Sequence, residues 1–294
     1  MRVLITGGTG FIGRHLIPRL LTRGDQVMVL SRRPHAAKLD SRVAVYSELA
    51  QVETPVDAVI NLAGAPIADK RWSDSRKALL RESRIELTRE LVQWMGSLSV
   101  TPKVLISGSA IGYYGSQGDK PLGEDAEPKL GFTHELCADW EREAQVAEKL
   151  GVRVCCIRTG VVLGDGGALQ KMLPPFKLGL GGPIASGRQW MSWIHVEDEV
   201  GAILHLLDQE ALSGPFNLTA PNAVSNETFS KTLANVLGKP AFFRVPAPVM
   251  HLIMGEAAEL VVKGQRVIPS KLEASGYRFR YPELESALNQ VLNA

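Results

Sequence analysis

The chain has 294 residues, 45% of them hydrophobic, enough to bury a full core and a second lobe. A net charge of +2 without any basic block gives no reason to expect nucleic acid or an anionic membrane as partner, and Cys137, Cys155 and Cys156 lack metal-type spacing and read as reduced, buried thiols. No apolar run approaches the ~20 residues of a membrane span, and a strand at the very start leaves no room for a signal peptide, so a cytoplasmic protein is expected.

Val3-Leu4-Ile5 predicts a buried first strand, which runs into Thr6-Gly7-Gly8-Thr9-Gly10-Phe11-Ile12-Gly13 and then into Leu16, Ile17, Leu20 and Leu21 at helical spacing. A glycine-rich loop between strand and helix is the context in which this spacing binds a dinucleotide. Gly7 permits the tight turn, Gly10 leaves room for a pyrophosphate, and Gly13 lets helix and strand approach closely. Thr9, Gly10, Phe11 and Ile12 are expected to supply backbone contacts to the anion.

Gln26-Val27-Met28-Val29-Leu30 predicts the second strand, followed by Ser31-Arg32-Arg33. An NAD site wants a carboxylate here to accept from the ribose 2′-hydroxyl. Asp25 stands at the wrong end of the strand, whereas Ser31 and Arg32 suit a 2′-phosphate, with Arg33 read as a stacking or solvated cation. The expected cofactor is NADP(H).

Further strands are predicted at residues 42–46, 56–64, 103–107 and 152–157, with long helices at 73–95 and 134–149 between them. Six strands alternating with helices define an α/β fold, a Rossmann-like doubly wound parallel sheet. Leu62 and Ala63, at the end of the fourth strand, should pass close to the adenosine side. Gly166-Gly167, Pro174-Pro175 and residues 179–183 then read as loops and short helices of a smaller, interleaved C-terminal substrate lobe. The expected division is 1–163 for the cofactor domain, with 192–222 returning to its sheet, and 164–191 plus 223–294 for the second lobe.

With Thr6 to Gly13, Asn61-Leu62-Ala63-Gly64, Ser107 to Gly115 and Trp193-Ile194-His195-Val196-Glu197-Asp198 in view, the chain resembles the extended short-chain dehydrogenase/reductases, the sugar-nucleotide epimerase-like group. Pro66-Ile67-Ala68-Asp69-Lys70-Arg71-Trp72, Arg158-Thr159-Gly160-Val161-Val162-Leu163-Gly164 and Leu173-Pro174-Pro175-Phe176 make it most similar to the YfcH-type epimerase family proteins. The resemblance implies a dinucleotide in the N-terminal domain, a small-molecule substrate between the lobes, and a homodimer through two long helices. It also implies that Arg84 contacts the cofactor, with Arg81 its nearest competitor, and that Val161 and Val162 floor the nicotinamide.

Relatives transfer protons with Tyr-x-x-x-Lys on a helix and an upstream Ser, the cation making the phenolate accessible. Here the helix reads Phe132-Thr133-His134-Glu135-Leu136-Cys137, without either residue. Val161 stands where sugar-nucleotide relatives carry an Asn, and Met191 where they carry an Arg, so a nucleotide-sugar substrate does not follow. Ser109 matches the upstream Ser and is the candidate nearest the nicotinamide, while Tyr113 and Tyr114 read equally well as proton-transfer groups or as packing of their loop. His134 reads as a surface helix residue and His195 as a brace of the sheet. Two functions stay open: an NADP(H)-dependent oxidoreductase or epimerase on a small substrate, or an NADP(H)-binding regulator or interaction protein that has lost catalysis.

Overall fold

In a computed structural model that describes residues 1–293, β1 (Arg2–Thr6), β2 (Gln26–Leu30), β3 (Ala44–Tyr46) and β4 (Ala58–Asn61) build half of a parallel sheet. Helix α1 (Phe11–Thr22) connects β1 to β2, and α2 (Asp74–Arg81) and α3 (Leu87–Ser97), joined by a π turn over Glu82–Glu86, lead to β5 (Val104–Ala110). A short β6 (Pro121–Leu122) and α4 (Phe132–Gln145) precede β7 (Arg153–Thr159). The seventh strand, β11 (Gly214–Leu218), completes the order β11-β7-β5-β4-β1-β2-β3. The order reverses between β1 and β4, where Thr6 stands opposite Asn61, and such a switch point opens a crevice at the carboxyl ends of the strands.

The strands are apolar on both faces because helices cover both. Val3, Ile5, Ile60, Ile106 and Ile157 pack with Leu16 and Leu20 of α1, while Leu4, Val59, Leu105 and Val154 face Leu91 and Met95 of α3. The strand predicted at 56–64 is shorter, because Leu62 turns over the end of β1 with its N–H on the Thr6 carbonyl at 3.1 Å. The predicted 73–95 helix spans 74–97 and carries the π turn, which its sequence does not announce.

Beyond β7 the chain leaves the sheet at Gly160, where a Cβ would lie 2.6 Å from the Ser192 carbonyl oxygen. The next segments are β8 (Val161–Leu163), α5 (Gly167–Lys177), β9 (Trp190–Met191), β10 (Trp193–His195) and α6 (Val196–Asp208). The expectation that 193–195 rejoins the main sheet is corrected here: β10 pairs with β8 in a separate two-stranded ladder, and only β11 (Gly214–Leu218) returns, beside β7. Helix α6 does lie on the sheet, contributing Val200, Ile203 and Leu206 to the α1-side core. His195 is buried and caps α6, its Nδ1 accepting from the Glu197 N–H at 3.1 Å, and burial lowers its pKa.

The second core gathers Leu163, Trp193, Phe229, Leu233 and Leu288. It is built from α5, β12 (Val224–Ser225), α7 (Asn226–Val236) and α11 (Leu284–Asn293), with α8 (Ala247–Met254), α9 (Glu259–Val262), β13 (Arg266–Val267) and α10 (Ser270–Ala274) between them. Pro174-Pro175 lies inside α5 and not in a loop. The buried stripe Leu169, Leu173 and Phe176 keeps that helix docked across the two missing N–H groups.

Candidate functional site

A cleft of about 1240 Å³ opens over the switch point, lined by Thr6, Gly7, Thr9 and Gly10, by Leu62 to Ala65, and by Ser31 to Arg33. Gly7 has φ +72°, and a Cβ there would lie 2.6 Å from the Leu62 carbonyl group. A Cβ on Gly13 would lie 2.6 Å from Gly8 Cα, which is the close helix-to-loop approach the spacing implies. Gly10, which lines the cleft, caps α1 without a side chain, and no acid stands in the first turn, so the helix start offers its leading N–H groups to an anion. The Phe11 ring covers Gly164, Gly166 and Gly167, and Ile12 packs on the core, so neither side chain lines the cleft.

Arg32 and Arg33 are exposed at the end of β2, and Ser31 Oγ accepts from the Arg33 N–H at 3.3 Å. Glu48 also lines this end, but its carboxylate accepts from the backbone of its own 3-10 turn. The donor set at the β2 end is therefore two guanidiniums and a hydroxyl, chemistry that fits a phosphate.

Ser109 lies on the α4 face of β5 and is 6% exposed. Its hydroxyl donates to Glu141 Oε1 at 2.6 Å, and Glu141 is gripped by Arg158 through Nε at 2.8 Å and Nη2 at 2.9 Å. Burial works against the charge on Arg158, but the Glu141 carboxylate outweighs it and raises the arginine pKa above its ordinary value. Sequence reasoning missed Glu141 and Arg158. Within α4, Phe132 packs on Trp72 and Leu136 joins Leu80 and Trp140, whereas Thr133, Cys137 and Glu141 form the face toward β5. Their spacing of four residues was the available signal. The Cys137 thiol, beside Ser109 and the Ala110 backbone, is pushed up to about 12, foremost by burial.

Tyr114 is fully buried, its hydroxyl donating to Asn217 Oδ1 at 2.7 Å and accepting from Arg158 Nη1 at 2.9 Å. Burial pushes its pKa up to about 12. The Tyr113 ring lies over the Arg158 guanidinium, 3.5 Å from centroid to Cζ, with His134 Nδ1 on the Tyr113 carbonyl at 2.7 Å. Neither tyrosine lines the cleft, and neither does Ser109, which lies under its wall; Tyr113 borders a separate hollow with Glu124, Glu127 and Gln145. Val161, in β8, packs on the second core. Arg84 is half-buried behind the cleft wall, donating to the Ala65 carbonyl at 2.9 Å, and its competitor Arg81 is paired with Asp139.

A seven-stranded parallel sheet with a glycine loop, an uncapped helix start and a crevice at its switch point defines a dinucleotide-binding Rossmann protein. The chain belongs to the NAD dependent epimerase/dehydratase family, which it matches over residues 3–218; residues 245–291 match a domain of unknown function, DUF1731. It is 41% identical over 301 residues to the Epimerase family protein YfhF of Bacillus subtilis, covering 99% of this chain and 98% of that one. The crystal structure of human epimerase family protein SDR39U1 with NADPH superposes with a TM-score of 0.91 at 35% identity, covering 100% of this chain and 99% of that chain. A nucleoside-diphosphate sugar epimerase from Corynebacterium glutamicum gives a TM-score of 0.80 at 32% identity, over 99% of this chain and 58% of that chain. Among the described residues no helix is long and apolar enough to cross a membrane.

Proposed function

We propose that the protein is an NADP(H)-dependent oxidoreductase or epimerase acting on a small molecule, without the Tyr–Lys pair. The β2 end of the cleft carries this reading: Ser31, Arg32 and Arg33 line it, and neither guanidinium has a carboxylate partner among the described residues. A 2′-phosphate would meet a hydroxyl and two cations there. Gly7, Thr9, Gly10, Phe11, Ile12 and Gly13 would hold the pyrophosphate by backbone, with Leu62 and Ala63 on the adenosine side. The human relative solved with NADPH supports the same cofactor.

When bound, NADP(H) supplies or accepts hydride. The Ser109 hydroxyl donates its hydrogen bond to Glu141 and so keeps a lone pair to accept from a substrate hydroxyl, with Thr133 the next hydroxyl along the same face. Tyr113 and Tyr114 have no part in this scheme. A cytoplasmic location belongs to the same reading. A nucleotide sugar, which the Corynebacterium relative's name suggests, is not part of it, because Val161 and Met191 bring neither an amide nor a cation.

A second reading, an NADP(H)-binding regulator without turnover, is favoured by Cys137, a buried thiol on the α4 face toward β5, where neither a Tyr nor a Lys stands. Calorimetry tests what both readings share. NADPH should bind about tenfold or more tightly than NADH, and Arg32→Ala should remove the difference while leaving NADH affinity unchanged. Equal affinities in the wild type would sink the 2′-phosphate argument.

A further inference from the structure

Twelve large hydrophobic side chains are exposed among the described residues, and seven of them belong to one part of the second lobe. They are Leu178 and Leu180 after α5, Phe242 and Phe243 after α7, and Val249, Leu252 and Ile253 of α8, with Phe242 84% exposed and Leu252 76%. The fold brings the first two pairs together. Val245 N–H donates to the Pro183 carbonyl at 2.9 Å and its own carbonyl accepts from the Ala185 N–H at 2.8 Å, while a Cβ on Gly179 would lie 3.6 Å from Pro240. Phe176 is turned inward beneath Gly181, which leaves Leu178 and Leu180 on the outside. Single apolar side chains on a surface are ordinary, but a group of this size marks a place where something docks.

Helix α8 has two apolar faces and only one of them is packed. Met250 and Met254, one turn apart, are half-buried, and Met254 joins Trp72 and Ala257 in an apolar cluster. Val249, Leu252 and Ile253, at i, i+3 and i+4, form the other face and are exposed. Arg71 Nη2 donates to the Leu252 carbonyl at 2.7 Å, and Lys77 pairs with Glu256 at 2.7 Å, so the helix is held by its inner face and its carbonyl end. None of its eight residues is fully buried, and a helix that is apolar all round without burial lacks part of its packing.

Charge says what covers this surface. No Asp or Glu occurs between Asp165 and Glu197 or between Glu227 and Glu256, yet these two stretches hold Lys171, Lys177, Arg188, Lys231, Lys239 and Arg244, six of the chain's 33 Lys and Arg. The acids that reach them from outside are already engaged, Glu227 with Lys231 at 2.8 Å and Arg244 at 3.2 Å, and Asp69 with Lys171. Lys177, Arg188 and Lys239 are exposed and have no carboxylate partner among the described residues. The sequence shows no basic block because the cations come from two separate stretches that only the fold sets side by side. Two copies meeting through this surface would place cation against cation with no acid to offset them. An anionic lipid surface answers both features, with acyl chains for the Phe, Leu and Ile side chains and charged headgroups for the cations.

We infer that the outer face of α8, with Phe242-Phe243 and Leu178 to Leu180, is a docking surface on which the protein rests peripherally against an anionic membrane. The apolar side chains enter the headgroup boundary, and Lys177, Arg188 and Lys239 meet the lipid anions around them. Among the described residues no helix is able to cross the bilayer, so the contact is one of surface only. The inference rests on neither the cofactor nor the reaction, since the patch shares no residue with the cleft.

Sedimentation of the full chain with vesicles of phosphatidylcholine alone, and of phosphatidylcholine with about 30% phosphatidylserine, tests this. Binding to the anionic vesicles is expected, with little to the neutral ones, and it should fall as salt is raised from about 0.1 M to about 0.5 M. Replacing Phe242 and Phe243 together by Ser should weaken it about tenfold or more, as should replacing Leu252 and Ile253 together by Ser. Lys177→Gln with Lys239→Gln should weaken binding to the anionic vesicles alone. Leu130→Ser, at a leucine 83% exposed on the loop before α4, should change nothing. Thermal melting checks the fold of each variant, and the two apolar pairs lie on different segments, so either folded pair decides the comparison. No binding to anionic vesicles, equal binding to both kinds, or binding that survives the loss of the apolar pairs overturns the inference. Self-association in sedimentation equilibrium that the same substitutions abolish, with vesicle binding absent, also overturns it and makes a second copy of the chain the occupant.

Discussion

Ser109 Oγ and Arg158 Nε converge on one oxygen, Oε1 of Glu141, at 2.6 and 2.8 Å. The candidate Ser is thereby fixed by a buried ion pair whose partners are about as shielded as the apolar core, with side chains 3% and 5% exposed. The pair is fully engaged, because Arg158 Nη1 also donates to the Tyr114 hydroxyl and to the Glu124 carbonyl at 3.0 Å. Glu124 in turn accepts from the Asn217 N–H of β11 at 3.0 Å, so the network ties the edge strand to the helix that faces Ser109.

Removing one partner should therefore be severe. Arg158→Met leaves the Glu141 carboxylate buried with only a hydroxyl donor, and a stability loss of about 3–5 kcal/mol is expected. Combining it with Glu141→Leu should restore part of that loss, because no uncompensated charge is left. Urea unfolding midpoints measure both, and a single-variant loss below about 1 kcal/mol, the scale of an exposed pair, would contradict the buried-pair account.

Ser109→Ala separates chemistry from structure. It removes one hydrogen bond to a carboxylate that keeps both Arg158 contacts, so a loss of about 1 kcal/mol is expected. In a screen of aldehydes, ketones and quinones followed by NADPH absorbance, any substrate the wild type turns over should lose about a hundredfold in kcat, with NADPH affinity unchanged. Turnover that survives the substitution intact would remove Ser109 from the mechanism.

Gly7→Ala and Gly24→Ala form a matched pair. Both positions have positive φ, +72° and +81°, and each should cost about 1–2 kcal/mol for the left-handed backbone alone. Only at Gly7 would the new Cβ strike backbone, Leu62 at 2.6 Å, while at Gly24 nothing lies within 4 Å. Gly7→Ala should thus also weaken NADPH binding about tenfold or more, and Gly24→Ala should leave it unchanged. Equal NADPH affinities in the two variants would show that the loop does not shape the site.

The glycine loop and Ser31-Arg32 were legible in the sequence because their logic is local: one strand, one turn and one helix start decide it. The α4 register was not, because one residue of helix is about 100° of rotation, and Phe132 and Thr133 both read as helix residues. What chooses between them is tertiary: a Cβ at Gly112 would lie 3.1 Å from Thr133 Cβ, so the turn after β5 admits the smaller side chain and sends Phe132 to Trp72. The polar network was equally hidden, since Ser109 and Glu141 are 32 residues apart and Tyr114 and Asn217 are 103 apart. Tyr113-Tyr114 beside a glycine gave no indication that one ring would be sealed in the core and the other laid over an arginine.

Glu199 makes stability depend on pH in a direction opposite to that of an ordinary paired carboxylate. It lies in the first turn of α6, 0% exposed, with Oε1 accepting from Thr159 Oγ1 at 2.8 Å and Oε2 without a partner. Burial pushes its pKa from 4.5 up to about 8, the Thr159 hydrogen bond opposing. Below the unfolded value the group is protonated in both states and imposes no penalty. As pH rises from there toward about 8, the unfolded chain gives up its proton while the folded chain keeps it. The unfolded state then binds fewer protons, so stability falls across this window and levels off above it. At about 1.4 kcal/mol per pKa unit the loss is a few kcal/mol. Glu199→Gln keeps an acceptor for Thr159 and has no proton to lose, so its urea midpoint should change much less between about pH 5 and about pH 9 than the wild type's. Parallel profiles for the two proteins would mean that Glu199 is already ionised in the fold at neutral pH.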